Sequence, residues 1–453
     1  MKVAIIGAGI SGLAAAYRLQ QDGVDAVVLE SASRVGGKIM TEREDGFLVE
    51  HGPNGFLSSR TAVLRLAQDV GLADEMISAN EDSKFRYLMG RGGLLRLPSS
   101  PLQFLTNPAL SLTGRLRVIR ELFVKPKQGD KDESIYEFAT RRFGQQAARR
   151  LFDPMVTGIH AGNIHTLSWS ACFPEVAALE QEHGSIIKGL VARSKKRAAE
   201  GAAAVKPGLT SFSGGMASLI SACVRAVGEE NVHCERPVER FERIESGKWR
   251  VFAQNGEALD VDQIVFTTPA PVTAQLLAQH SVSAAERLGS ITYAPAVVVA
   301  LGYDRKRIPD PLAGFGYLAP SEEQRDVLGV LWSSRIFAGR APDGRMLFRA
   351  IVGGAHRPEM AGFSDEELIY RVTAELGFAF GANLRRPDFS RIVRWPVGIP
   401  QYVVGHRAKI DDARDALRPI GGLHIAGNAV VGVSVADCVG HAETLPERIR
   451  EQA

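Results

Sequence analysis

Cysteine is scarce in this chain. Cys172, Cys223, Cys234 and Cys438 are the four among 453 residues, and no two form a C-x-x-C pair. A structural zinc site, any other metal site and a disulfide framework are therefore not expected. An excess of charge of one sign is lacking too. The 54 Lys and Arg against 51 Asp and Glu leave a net +3, too little for a general basic field, so nucleic acid is not expected as a partner. No long uncharged apolar run is present, so no helix is expected to span a bilayer. Met1 leads straight into a strand pattern, so a leader of the secretory kind is not expected. Internal repeats and long low-complexity segments are absent. These absences point to a cytoplasmic protein of a reducing compartment, soluble or resting on a membrane surface. What is present is ordinary globular composition, 45% apolar and 23% charged. The length exceeds the roughly 250–300 residues at which single cores stop growing, so two or three domains are expected.

The N-terminus carries the sharpest signal. Val3 to Ile6 reads as a buried parallel strand, and Gly7-Ala8-Gly9-Ile10-Ser11-Gly12 follows at once. Leu13 to Gln20 reads as a helix, Val24 to Leu29 as a second strand, and Glu30 ends it. This βαβ unit carries G-x-G-x-x-G. Gly7 permits the tight turn, Gly9 admits a pyrophosphate to the backbone, and Gly12 lets helix and strand pack closely. Ile10 and Ser11 open the helix whose free N–H groups stabilise phosphate. Glu30, with Ser31 beside it, stands where a carboxylate accepts ribose hydroxyls. An acid there disfavours NADP. Ser33-Arg34-Val35-Gly36-Gly37-Lys38 then adds a second glycine pair and two cations. A plain NAD domain has no need of these, whereas a long flavin dinucleotide with a doubly charged pyrophosphate does. Near the other end, Gly427-Asn428 and Gly432-Val433 flank a turn into a helix starting at about Val433. Backbone N–H groups there suit a flavin ring whose N1–C2=O end gains negative charge on reduction.

Between these ends, Glu50 to Phe56 forms a polar turn-rich loop containing Gly52, Pro53 and Asn54, and Phe85 to Leu97 reads as a hairpin with Arg86, Arg91 and Arg96. Period two would place Arg86 and Arg96 on one face and Arg91 on the other. The chain then turns helix-rich to about Arg197, with the arginine pairs Arg141-Arg142 and Arg149-Arg150. Ala198 to Ala204 reads as a loop.

The E-x-x-x-R-x-G-G-K stretch from Glu30 to Lys38 resembles the flavoprotein family of monoamine oxidases, phytoene desaturases and protoporphyrinogen oxidases. Leu151 to Asn163, Phe173 to Gly189 and Arg394 to His406 are similar to oxygen-dependent protoporphyrinogen oxidases, bacterial and plant mitochondrial, and the likeness runs from Met1 to about Arg448. Asn163 stands where that family commonly has Asp.

The resemblance implies an α/β fold: a Rossmann-like FAD-binding domain of the amine oxidase/p-hydroxybenzoate hydroxylase type, a mixed-sheet substrate domain and a helical membrane-binding domain. The segments expected are 1–76, 226–270 and 391–453 for FAD, 77–98, 201–225 and 271–390 for substrate, and 99–200 for the membrane. FAD is expected to be noncovalent, because no cysteine lies between Arg394 and Tyr402. By resemblance Val238, Thr268 and Trp395 join the cofactor set. Arg91, Gly158, Phe315 and Met346 are expected to line the substrate pocket, with Arg91 paired to a propionate. The implied activity is six-electron, oxygen-dependent oxidation of protoporphyrinogen IX to protoporphyrin IX with hydrogen peroxide release. The alternatives are coproporphyrinogen III as substrate, or a chemistry like that of amine oxidases or carotenoid desaturases. Flavin N5 carries such chemistry, so no catalytic side chain is assigned. The expected partners are the porphyrinogen, dioxygen, a membrane surface and a downstream haem-pathway enzyme for hand-off, in a monomer or homodimer.

Overall fold

The computed structural model describes residues 1–98, 109–129, 131–199, 208–309 and 313–451. Its first sheet is parallel and five-stranded, in the order Val232–His233, Asp25–Leu29, Lys2–Ile6, Gln263–Phe266, Leu423–Ile425. Val3, Ala4 and Ile5 have no exposed surface, because elements cover both sheet faces. On one face lies the helix Ile10–Gln21, whose small residues Ala14, Ala15 and Ala16 allow close approach. It begins three residues before the expected Leu13, because Gly12 is taken into its first turn. The helices Ala217–Val227 and Val435–Ala442 pack beside it. The other face carries an antiparallel three-stranded sheet, from Val238–Arg243 to Ala258–Val261, and the helices Ala270–Leu277, Val282–Gly289 and His406–Leu417.

The second large sheet is mixed and seven-stranded. Its order is Phe389–Pro400, Tyr293–Asp304, Arg345–Gly353, Gly329–Leu331, Gly316–Leu318, Arg86–Gly90, Gly93–Arg96. The one parallel pairing joins Gly316–Leu318 to Arg86–Gly90. Alternation gives its two faces different tasks. Met346, Phe348, Ala350, Tyr317 and Val330 point toward the helix Asp365–Phe380 and make a core with its Leu368, Val372 and Leu376. The opposite face carries Leu347 and Ala300 against Phe47, and Ile351 against Ala161.

Two expected boundaries move. Residues 208–225, assigned above to the substrate unit, pack with the nucleotide-binding core. Phe212, Ile220 and Cys223 pack with the helix Ile10–Gln21, and Leu209–Phe212 pairs with Phe56–Leu57 and Met76–Ser78. Residues 391–400, assigned to the FAD unit, form most of an edge strand of the seven-stranded sheet, because their register runs against Tyr293–Asp304. The hairpin also differs from its expected faces. Tyr87 stands directly opposite Arg96, so Arg96 shares the face of Tyr87 and Arg86 lies on the other, while Arg91 sits in the turn. The expected loop from Ala198 falls partly in the helix Ile186–Ala199, and its remainder lies outside the described residues.

The described part of 109–199 is a set of helices with its own core, built on Phe138, Phe143, Val156, Leu167 and Trp169. A charged cluster ties them together. Arg142, wholly buried, donates to Glu121, to Val124 O at 2.9 Å and to Gly184 O at 3.0 Å, while Arg141 bridges Glu133 and Glu180. Among the described residues no helix is long and apolar enough to cross a membrane.

Candidate active site

The glycine turn after Lys2–Ile6 forms one end of the site. Gly7 has φ +108°, and a Cβ on it would lie 2.9 Å from Thr267 Oγ1. A Cβ on Gly12 would lie 2.0 Å from Gly7 O, so helix and turn touch through backbone alone. A Cβ on Gly9 would meet nothing within 4 Å. Gly9 is also the N-cap of its helix without a side-chain cap, which leaves first-turn N–H groups free. Ile10 is buried and Ser11 half-buried beside Cys438. Gly36 N donates to Ala8 O at 2.7 Å, and Gly37 lies against Gly9. The Glu30 carboxylate accepts from Ala8 N at 2.8 Å and Ala32 N at 2.9 Å, with the Ser31 hydroxyl at 3.3 Å. Arg34 donates to Gly37 O and stays exposed. Val238 opens the antiparallel strand that follows Arg236, whose N–H bonds Glu30 O.

The other end gathers four separate segments. Lys38 is half-buried, its ammonium 5.7 Å from the centre of the Tyr293 ring. Burial pulls its pKa down, and among the described residues no carboxylate pairs with it. A Cβ on Gly52 would lie 2.0 Å from Lys38 O, which brings the loop of Gly52, Pro53 and Asn54 onto the Lys38 segment. Asn54 is buried, and its amide nitrogen has no partner among the described residues. Thr268 Oγ1 bonds Thr273 at 2.8 Å, and its methyl borders Gly7. Trp395 Nε1 donates to His51 O at 2.8 Å, which fixes the indole at the same loop. Gly427, at φ +88°, lies on Thr267 O, and Asn428 O accepts from the Tyr402 hydroxyl. Gly432, at φ +136°, has no room for a Cβ, because Asp437 would be 2.5 Å away. The helix after this turn begins at Val435, not Val433, because Ser434 and Asp437 close a capping box there.

The free N–H groups, the open face at Gly9, the unpaired Lys38 ammonium and the unpartnered Asn54 amide suit a long anionic dinucleotide. The residues fit FAD.

Three residues missed in the sequence hold this loop. Arg349 is almost wholly buried and donates to Glu50 O at 2.8 Å and to Gly52 O. Burial lowers its pKa to about 10, against the opposing pull of Glu50. Glu50 accepts from Thr41 at 2.7 Å and Met216 N at 2.8 Å, and burial raises its pKa. Arg340, also buried, bonds Ser211 at 2.9 Å and lies 3.8 Å from Glu50. The signal was available: Arg349 interrupts an otherwise apolar strand, Met346 to Val352.

The expected substrate residues scatter. Gly158 is accessible, but a Cβ on it would lie 2.6 Å from Leu318, so its helix touches the mixed sheet there through a position without a side chain. Met346 points to the opposite face and is buried among core residues including Tyr303 and Phe348, so it is not brought to Gly158. Phe315 is half-buried with its ring 4.9 Å from the Arg86 guanidinium. Arg91 is exposed at the hairpin tip. The alternation instead gives Leu318, Leu331 and Ile351 to the face shared with Arg349. A run of alternating apolar residues does not say which set faces a helix and which faces a site.

A family model described as flavin containing amine oxidoreductase matches residues 10–445. The chain is 31% identical to the chloroplastic protoporphyrinogen oxidase of Nicotiana tabacum, over 96% of this chain and 83% of that protein. It is 27% identical to the coproporphyrinogen III oxidase of Bacillus subtilis, over 96% of this chain and 95% of that protein. A solved Exiguobacterium protein provisionally assigned as a protoporphyrinogen oxidase superposes with a TM-score of 0.85 at 26% identity, covering 100% of this chain and 99% of that one.

Proposed function

The chain belongs to the flavin-containing amine oxidoreductases, and from that premise we propose that it is the FAD-dependent oxidase that converts protoporphyrinogen IX to protoporphyrin IX. The observation carrying this reading is the apolar sheet face of Leu318, Leu331 and Ile351, which leads to Arg349 and through it to the Glu50–Gly52 loop of the cofactor cradle. The helix Asp153–His160 closes on this face at Gly158, where a Cβ would lie 2.6 Å from Leu318, and the apolar surface beyond that contact offers a wall for a macrocycle. Noncovalent FAD supplies the two-electron acceptor. Aromatising the macrocycle removes six electrons and six hydrogens, so three passes are needed, each with dioxygen as final acceptor and hydrogen peroxide as product. The protein's task is to hold a meso carbon in place and exclude side reactions. Gly7, Gly9, Gly12 and Gly37 seat the pyrophosphate. Glu30 accepts from the ribose. Lys38, Asn54 and Trp395 border the ring with Gly432 and Val433. Leu331 and Ile351, with Leu318 where the helix meets the sheet, offer the apolar wall. The pyrrole N–H protons leave by tautomerisation, so no side chain is assigned as acid or base.

The propionates need cations at the sheet edge. Arg91 extends from the hairpin tip, and Arg86 lies on the face of Leu88, its pKa lowered by burial. Replacing the pairing arginine with Ala should raise KM about tenfold, or about 1.4 kcal/mol. Comparing Arg91→Ala with Arg86→Ala identifies it.

A second reading, coproporphyrinogen III oxidation, is favoured by the near full-length match to the Bacillus subtilis protein. The deciding experiment gives each porphyrinogen to the FAD-loaded protein and follows oxygen uptake and porphyrin fluorescence. A higher kcat/KM for protoporphyrinogen supports the first reading, and the reverse order the second. A yellow protein active on neither overturns both.

The helix Leu112–Ile119 and the turn after it expose Leu112, Leu116, Ile119 and Phe123, the last 81% exposed. At spacings of four, three and four these form one apolar stripe with Arg120 and Lys125 exposed nearby. We assign this stripe to a membrane interface, where such a face lies along the headgroup boundary.

A further inference from the structure

Asp153, Thr157 and His160 stand at spacings of four and three on the helix Asp153–His160, so they share one face. All three are buried, with exposures of 2%, 3% and 1%. Polar side chains so enclosed normally find partners. These are largely unpaired: among the described residues neither ring nitrogen of His160 has a hydrogen-bond partner, nor has Thr157 Oγ1. Asp153 accepts from Ser321 N at 2.7 Å through one oxygen. Its other oxygen is 3.9 Å from His356 Nε2, beyond direct hydrogen bonding, and that nitrogen too lacks a partner. His356 is 24% exposed. At the opposite end, the His160 ring lies 6.2 Å from that of Tyr402, whose hydroxyl reaches Asn428 O in the cofactor cradle. The face thus runs about 10 Å, at about 1.5 Å per residue, from a solvent-edge histidine to the cofactor side.

We propose that Asp153, Thr157, His160 and His356 hold a file of ordered waters that conducts protons between the flavin site and solvent. The inference rests on the oxidase reading above. In each pass a substrate C–H bond breaks with its electron pair going to the cofactor, and a pyrrole N–H releases one proton. Reoxidation by dioxygen takes up one proton as hydrogen peroxide forms. The sum is SH2 + O2 → S + H2O2, but release and uptake fall in different halves, so a closed site needs a path for the proton. The four residues position water and do not touch substrate.

The test uses the dithionite-reduced, FAD-loaded protein, whose reoxidation by dioxygen requires a proton but no porphyrinogen. His160→Phe and Thr157→Val should each slow reoxidation about tenfold, less than the roughly 10²–10⁴-fold of a direct acid–base group because these residues only position water, and raise the solvent isotope effect. His160→Gln, which can still hold water, should recover most of the rate. Equal losses in the His160→Phe and His160→Gln variants, or an unchanged rate in the Thr157→Val protein, would assign the face to packing and overturn the proposal.

The Thr157→Val comparison is the cleaner of the two, because valine matches threonine in shape and removes the hydroxyl alone. A high-resolution crystal structure of the FAD-loaded protein gives the independent readout. Ordered waters within hydrogen-bond distance of Thr157 Oγ1 and both His160 nitrogens are expected, and a dry face would overturn the proposal whatever the substrate proves to be.

Discussion

Gly9 and Gly12 lie three residues apart in one turn, yet a methyl group on each meets different surroundings. At Gly12 it meets backbone, Gly7 O at 2.0 Å, which cannot move aside. Gly12→Ala should therefore destabilise the protein itself, by about 1–3 kcal/mol or more. At Gly9 the methyl meets no protein atom, and φ −72° suits alanine. Gly9→Ala should fold with an unchanged melting temperature as apoprotein but bind FAD about tenfold more weakly, near 1.4 kcal/mol. Thermal melts of both apoproteins with an FAD titration check the pair, and a similar loss of affinity without destabilisation at Gly12 would refute the distinction. These two roles are legible in the sequence because the motif fixes its own local geometry. Arg349 stands out as a charge in an apolar strand, but its role is not legible, because its partners Glu50 O and Gly52 O lie 299 and 297 residues away. Arg349→Met should leave both carbonyls unpaired at about 1–3 kcal/mol each. The expected result is a lower melting temperature together with weaker FAD binding, and a change in neither would remove Arg349 from the support of the loop.

Among the elements, the strand–turn–helix at the N-terminus, the hairpin and the strand Arg345–Gly353 are readable from local pattern. Membership in a sheet is not. Resemblance puts Trp395 with the cofactor, but the place of its strand, Phe389–Pro400, at the edge of the mixed sheet depends on register with Tyr293–Asp304, a contact no local pattern encodes. The same limit explains Met346: the apolar strand is evident, but alternation leaves open which face meets the helix Asp365–Phe380. The exposed stripe on Leu112–Ile119 raises a testable point at this scale. Leu116 and Phe123 are 59% and 81% exposed, so replacing both with Ser costs the fold little. If the stripe enters the headgroup boundary, the double variant should lose most of its flotation with anionic liposomes and keep its melting temperature. Equal flotation of variant and parent would place the membrane contact elsewhere.

For the whole molecule, buried histidines set the response to acid. Burial lowers the pKa of His160, His406 and His424 to about 4, and that of His441, beside Arg448 and Arg414, to about 3. In the unfolded chain each returns to about 6.5. Between these values the unfolded state binds protons that the folded state refuses, so stability is present above pH 6.5 and is lost as the pH falls toward 4. Four such groups give a slope of up to about 5 kcal/mol per pH unit near pH 5. Glu50, Asp153 and Glu375 act in the opposite sense, because burial raises their pKa and the folded state takes up their protons first. The net slope should therefore be positive but smaller than the four histidines alone would give. Denaturant unfolding at a series of pH values between 5 and 7 measures it directly. His441→Gln, whose side-chain oxygen can still accept from Arg448, should make the slope shallower by about one proton, or about 1.4 kcal/mol per pH unit. A flat dependence between pH 6.5 and 5, in parent and variant alike, would mean that these rings are already protonated in the folded protein or that the carboxyls offset them completely.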